Sequence, residues 1–276
     1  MPKMSTSGDA PIQLHYTDTG GEGRPLVLIH GWPLSGESFR VNEKSFTAAG
    51  LRVITYDRRG FGQSDKPADG YHYDRLASDL DDLMGLLDLR DAVILGFSMG
   101  GGEVARYCSR YGTGRLSGVI LSGSICPALC QTEDNPDGAM PMSAFQEMAD
   151  ACRADHQGFL GQFITSFFSN NDGLAVDDDT RGEALSIAMQ SDRNAAAESI
   201  LAWATDLRSD CERIHVPALV IHGDGDQNVP PAASSERAAR LIPNARLHMI
   251  AGGTHGSNIS HQAEWEKAVT DFIADL

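Results

Sequence analysis

Short continuous apolar runs alternate along the chain with stretches in which apolar residues recur every three or four positions. Ile12 to Tyr16 reads as an early strand, closed by the turn-rich Thr19-Gly20-Gly21-Glu22-Gly23. Leu26-Val27-Leu28-Ile29, Arg52-Val53-Ile54-Thr55-Tyr56, Ala92-Val93-Ile94-Leu95 and Leu116 to Leu121 read as buried strands. Leu76, Leu80, Leu83, Met84 and Leu87 fall at helical spacing, and Val104, Ala105 and Cys108 mark a further helix. Continuous apolar strands separated by helices predict a parallel sheet covered on both faces. The alternation stops near Ala128. From there to Arg213 no strong strand run occurs; Phe159, Phe163, Phe167 and Phe168, then Ile187, Met189, Ile200, Leu201 and Trp203, predict short helices. Strands resume at Ala218-Leu219-Val220-Ile221 and Arg246 to Ile250, and a last amphipathic helix carries Trp265, Val269, Phe272, Ile273 and Leu276. The expected fold class is α/β, a mostly parallel central sheet flanked by helices. Residues 1–127 and 214–276 are expected to form the core, and 128–213 an inserted helical cap.

The 276 residues fit one large domain carrying an insertion, with ample material for a core that needs no staples. The 38 acidic residues against 22 Lys and Arg give a formal charge of −16. That balance argues against nucleic-acid binding, which needs clustered cations, and against an anionic membrane surface. The charge is uneven. Between Gln131 and Arg213 stand 16 acidic and 5 basic residues, a net of −11, and no lysine. Five cysteines are an odd number, and Cys126-Pro127-Ala128-Leu129-Cys130 lacks a second Cys or His pair at zinc spacing, so buried thiols are expected. The start, Met1 to Gly8, is polar, and no run of 18 apolar residues exists, so a reducing cytoplasm is the expected compartment.

The strongest local signal is Gly96-Phe97-Ser98-Met99-Gly100, a G-x-S-x-G between a strand and a helix. A serine on so sharp a turn is strained, which requires small neighbours two residues away, and its hydroxyl projects into the cleft at the strand's carboxyl end. The next N–H, that of Met99, then opens a helix, where developing negative charge is stabilised. A serine needs a base to take its proton. His255 in Gly252-Gly253-Thr254-His255-Gly256 stands after the last strand, where such sheets place ligands. His30 opens the loop His30-Gly31-Trp32-Pro33, and His222 ends a strand, which suits structural hydrogen bonds in the core. The carboxylate that orients the base comes from His222-Gly223-Asp224-Gly225-Asp226-Gln227-Asn228-Val229-Pro230. Spacing prefers Asp226, which lies further out, but leaves Asp224 as an alternative. A second oxyanion donor is expected from Trp32 N–H. Asp57-Arg58-Arg59-Gly60-Phe61-Gly62 carries no phosphate-binding pattern and reads as a structural loop with buried hydrogen bonds beneath the site.

Taken together, His30-Gly31-Trp32-Pro33-Leu34, Tyr56 to Ser64, Gly96 to Glu103 and Gly223 to Pro230 resemble the cofactor-free haloperoxidase, arylesterase and perhydrolase group of α/β-hydrolases. The resemblance covers nearly the whole core. It implies Ser98 as nucleophile, Asp226 as acid and His255 as base, with oxyanion donors at Trp32 and Met99, and it selects Asp226 over Asp224. It implies no cofactor and no metal, and hydrolysis of small carboxylic esters or lactones through an acyl-enzyme. It also implies peracid formation with hydrogen peroxide in some members, where a proline such as Pro33 often follows the oxyanion tryptophan. Thr254, where proline is common, and the acidic 128–213 segment depart from the pattern. Phe97, Phe163, Phe167, Ile200 and Trp203 are the expected pocket residues. The expected partner is a small ester or lactone, with no nucleic acid and no membrane; a homo-oligomer is compatible with this reading. Two competitors stand beside it, a dedicated lactonase (for acyl-homoserine lactones or γ-lactones) or γ-lactamase with the same triad, and a non-catalytic ligand-binding protein of the same fold. Haloalkane dehalogenases and epoxide hydrolases carry Asp where Ser98 stands.

Overall fold

The computed structural model describes residues 2–8 and 10–276, so Met1 and Asp9 lie outside the described residues. Eight strands form the central sheet: β1 (Lys3–Ser5), β2 (Gln13–Asp18), β3 (Pro25–Ile29), β4 (Arg52–Tyr56), β5 (Ala92–Phe97), β6 (Leu116–Ser122), β7 (Ala218–Gly223) and β8 (Ala245–Ile250). Their order is β1-β2-β4-β3-β5-β6-β7-β8, with the β1–β2 and β2–β4 pairs antiparallel and all others parallel. All six residues of β5 are buried, as a central strand covered on both faces requires. The strands run where the apolar runs predict them, within one or two residues. β1 has one buried side chain, Met4, too short a signal to read beforehand.

The helices are α1 (Arg40–Ala48), α2 (Tyr73–Leu86), α3 (Met99–Tyr111), α4 (Met142–Ala154), α5 (His156–Phe167), α6 (Asp178–Ala188), α7 (Arg193–Ala202), α8 (Arg208–Cys211), α9 (Ser235–Leu241), α10 (Ser257–Ser260) and α11 (Gln262–Ala274). α2 and α3, with α8 and α9, form one layer, and α1 with α11 another. The buried Trp265 of α11 lies against Phe39 and Phe46 and donates its indole N–H to Ser122 Oγ at 2.9 Å. Five helices, α4 to α8, stand between β6 and β7 in the stretch without strand signals. Among the described residues no helix is long and apolar enough to cross a membrane.

The Asp57-Arg58-Arg59 loop after β4 is the polar part of the core. Asp57 accepts from Gly36 N–H at 2.9 Å and Gln63 N–H at 2.8 Å and is 3.0 Å from His15 Nδ1. Arg59 grips Asp79 of α2 with two hydrogen bonds of 2.7 and 2.8 Å. Arg58, fully enclosed, donates through Nε to Glu103 Oε2 of α3 at 2.9 Å, and Tyr56 hydroxyl also bonds Glu103. Burial pulls the Arg58 guanidinium down to about 10 and pushes the Glu103 carboxyl upward. The five cysteines are buried thiols, and burial pushes Cys108 up to about 12, which keeps it protonated.

Removing one partner of a buried ion pair strands the other charge. Glu103→Ala should cost about 3–5 kcal/mol, whereas the paired replacement of Arg58 and Glu103 by Met and Leu should recover most of that loss. Urea unfolding of the three proteins checks this; an isolated Glu103→Ala cost near zero would contradict it.

Candidate active site

β5 delivers Ser98 into a turn at φ 54° and ψ −117°, a backbone region strained for a side chain with Cβ. The turn closes because its flanks lack side chains. A Cβ on Gly96 would lie 2.3 Å from the Gly100 carbonyl oxygen, and one on Gly100 would lie 2.6 Å from that of Ile29 in β3. The strained conformation is held from both sides. Ser98 N–H donates to Ser122 O at 2.8 Å, and Gly101 and Ile125 N–H groups donate to Ser98 O at 3.0 and 3.3 Å.

His255 follows β8 on a buried loop. Its Nε2 is 2.9 Å from Ser98 Oγ, and its Nδ1 is 2.6 Å from Asp226 Oδ2. Asp226 follows β7, and its Oδ1 accepts from the Asn228 and Val229 N–H groups at 2.8 and 2.9 Å. Burial alone would raise its pKa. The His255 charge, then hydrogen bonds from His222 and His255, outweigh burial and hold the carboxyl well below the usual carboxylate range. Asp224, the alternative acid, instead accepts from Gly252 N–H at 2.6 Å and braces the two loops against each other. Thr254, fully buried, bonds Ser260 Oγ at 2.8 Å, and the Gly256 N–H donates to Phe167 O at 3.0 Å.

Met99 N–H is the first of α3. The Trp32 loop lies against the serine: a Cβ on Gly31 would come 3.1 Å from Ser98 Cβ and 2.8 Å from the Phe97 ring. His30 is kept neutral by burial and by Arg58, which hold it well below the ordinary range. Its Nε2 accepts from Arg58 N–H at 3.0 Å, and the Arg58 guanidinium donates to His30 O at 2.8 Å. The Trp32 side chain turns the other way. Its indole N–H donates to Ala196 O of α7 at 2.9 Å, and its ring meets Phe163, Trp203 and Phe159 edge-on at 4.7, 5.0 and 6.0 Å.

Ser98 and His255 open into a cavity of about 330 Å³. Its walls are mostly apolar, with Ile125, Leu129, Phe145, Met148 and Phe159 beside the expected Phe163 and Trp203. Gln162, Ser166, Gln227 and Asn228 add neutral polar groups, and none of the lining residues is Asp, Glu, Lys or Arg. Three expected pocket residues lie elsewhere. Phe97 and Phe167 are buried against the His255 ring, at 5.1 and 5.2 Å between centroids, and do not line the cavity. Ile200 is fully buried on α7, away from the lining. Five further histidines serve elsewhere: His15 meets Asp57, His72 caps α2, His156 meets Ser191, His248 meets Glu264 and His261 meets Ser260. His222 makes buried hydrogen bonds in the core as expected, but one of them is to Asp226 Oδ2 at 2.9 Å, a partner the sequence did not disclose.

The alpha/beta hydrolase fold model matches residues 24–262. The chain belongs to the α/β-hydrolase family. This hydrolase is 39% identical over 274 residues to a putative non-heme chloroperoxidase of Synechocystis, with 98% of each chain covered. It is 30% identical to a bifunctional esterase/perhydrolase of Acinetobacter calcoaceticus, covering 95% of this chain and 96% of the relative. The bromoperoxidase structure from Bacillus anthracis superposes with a TM-score of 0.94 at 40% identity, covering 99% of this chain and 100% of the other. The hydrolase thus falls in the haloperoxidase and esterase group.

The depressed Asp226 carboxyl carries a pH signature. A carboxyl lowered on folding contributes stability that is complete above its unfolded pKa of about 3.9 and drains as pH falls toward the folded value. The difference in unfolding free energy between wild type and Asp226→Asn should therefore shrink between pH 5 and pH 3. Urea titrations at both values measure it; parallel pH dependences would remove the claim.

Proposed function

We propose that this α/β hydrolase cleaves small uncharged carboxylic esters, lactones included, through an acyl-enzyme on Ser98. The observation that carries this reading is the unbroken chain Ser98 Oγ to His255 Nε2 at 2.9 Å and His255 Nδ1 to Asp226 Oδ2 at 2.6 Å, opening into a mostly apolar cavity. Ser98 Oγ attacks the carbonyl carbon while its proton passes to His255 Nε2. The oxyanion that forms is held by Met99 N–H and Trp32 N–H, donors whose removal typically costs about 3–4 kcal/mol in the barrier. His255 returns the proton to the leaving alkoxide, and Asp226 stabilises the imidazolium in between. Water, deprotonated by the same histidine, then attacks the acyl carbon and frees Ser98 and the acid.

Hydrogen peroxide in place of that water gives a peracid, which oxidises halide without metal or haem. The esterase/perhydrolase relative supports this side activity here. In this reading residues 128–213 act as the cap, with Phe163 and Trp203 contributing to the acyl or alcohol pocket.

Ser98→Ala should lower kcat for 4-nitrophenyl acetate by about 10⁴-fold or more. A fluorophosphonate probe should label the wild type and spare the variant. Equal background rates with an unlabelled Ser98 in folded wild type would instead favour a ligand-binding protein. A second comparison tests the cavity's lack of charge under a segment of net −11. Neutral esters should give higher kcat/KM than matched carboxylate esters at low salt, with the gap closing as salt shortens the screening length to about 10 Å at 0.1 M. Equal values at low salt would leave the charge without a catalytic consequence.

A further inference from the structure

Asp226 is bound by two histidines, and the acyl-transfer scheme uses only one. His222 Nε2, from the end of β7, lies 2.9 Å from the same Oδ2 that His255 Nδ1 approaches at 2.6 Å. It also lies 2.9 Å from the Val229 carbonyl oxygen. Both neighbours of Nε2 only accept, so Nε2 carries the hydrogen. The other ring nitrogen, Nδ1, is buried with no polar partner among the described residues. A second proton there would create a buried unpaired N–H, which costs the desolvation of that group. Side-chain exposure of His222, Asp226 and His255 is 0% for each.

We propose that His222 is a positioning residue for the acid, a fixed neutral donor that sets both the aim and the strength of Asp226; this rests on the triad chemistry proposed above. The geometry separates the two carboxylate oxygens. Oδ1 is pinned by the backbone N–H groups of Asn228 and Val229, and Oδ2 is shared by the two imidazoles. Aim follows from the pinning, because the carboxyl plane is fixed at both ends before His255 takes the serine proton. Strength follows from the sharing. A hydrogen bond that favours the charged carboxylate leaves less negative charge to stabilise the imidazolium. With the bond to His222 removed, the whole charge of Oδ2 would face His255 Nδ1–H and hold the imidazolium more tightly. The titratable groups that face this unit are few. His222 comes from β7, His255 from the loop after β8 and Ser98 from the β5–α3 turn, while Phe97 and Phe167 close the sides.

The test has two independent readouts. Long-range ¹⁵N–¹H spectra of the wild type should show His222 as the Nε2–H tautomer from pH 6 to pH 8; an Nδ1–H tautomer or an imidazolium would overturn the proposal. The second readout compares His222→Leu, which removes the donor, with His222→Gln, whose amide restores one near the Nε2 position. With 4-nitrophenyl acetate, His222→Leu should lower kcat about tenfold with KM within about twofold. It should also move the acid limb of kcat/KM up by about one pH unit, while His222→Gln keeps the wild-type limb and most of kcat. Equal losses in both variants with an unmoved limb would reduce His222 to packing and sink the idea. Should His222→Leu not fold, the tautomer and the His222→Gln limb still decide, since a displaced limb in that variant counts against it. A wild type inert toward the ester would refute the hydrolase reading instead, and the tautomer would still settle the geometry of His222.

Discussion

The geometry of the site depends on how closely the β5–α3 turn approaches β3. Ser98 holds a strained backbone, and the strain persists because two strands and a helix converge on it with no side chains between them. Gly96 lies against the Gly100 carbonyl, Gly100 against that of Ile29, and Gly31 against Ser98 itself. A methyl at any of these points would have to push backbone or the serine aside. The same close approach brings the Trp32 loop beside the first turn of α3. Ser98 and the Trp32 and Met99 backbone are thus placed by one packing constraint.

That constraint is reinforced from below and from above. Below, Arg58 is bonded to both His30, which precedes the Trp32 loop, and Glu103 of α3, so a buried cation ties the loop to the helix that follows the serine. An ion pair so enclosed adds little net stability compared with apolar packing, and its worth here lies in fixing the relative placement of two elements. Above, the Trp32 indole is bonded to α7 and ringed by Phe159, Phe163 and Trp203. The aromatic wall of the cavity is therefore also the mount of the Trp32 loop. A ligand that displaced Phe163 or Trp203 would press on the Trp32 ring and, through it, on the loop beside Ser98.

Much of this was legible in the sequence, for physical reasons that differ by element. Strands buried on both faces announce themselves as continuous apolar runs, and Ser98 is marked by a turn that tolerates almost no other residue types around it. α1 was not legible, because its buried positions are Asn42 and Phe46 while Val41 stands exposed, which erases the periodic stripe. The division of labour on α5 was equally hidden. Phe163 and Phe167 are one turn apart on the same side of the helix, yet one faces the cavity and the other packs on His255. Helical spacing reports that a face is covered and not what covers it. Spacing likewise left Asp224 and Asp226 open. Two residues apart on one loop, they are separated only by which donors the tertiary structure brings, Gly252 N–H to one and two imidazoles to the other.

The acidic character of the chain takes on a different meaning beside this geometry. Most of the net charge lies in the 131–213 stretch, whose helices supply much of the cavity wall, yet among the described residues the wall contains no Asp, Glu, Lys or Arg. On α4 the charges sit on the solvated side, at the exposed Glu147 and Asp150, while Phe145 and Met148 of the same helix line the cavity. Aromatic and aliphatic side chains fill the inner sides. Such a segment presents a negative exterior to approaching solutes and a neutral interior to bound ones. Its field acts on encounter, over distances that salt shortens, while affinity within the cavity is decided by shape and apolar contact. Charge and apolar contact would therefore act at two successive stages, encounter and binding, and on α4 the residues that carry each lie on opposite faces of one helix.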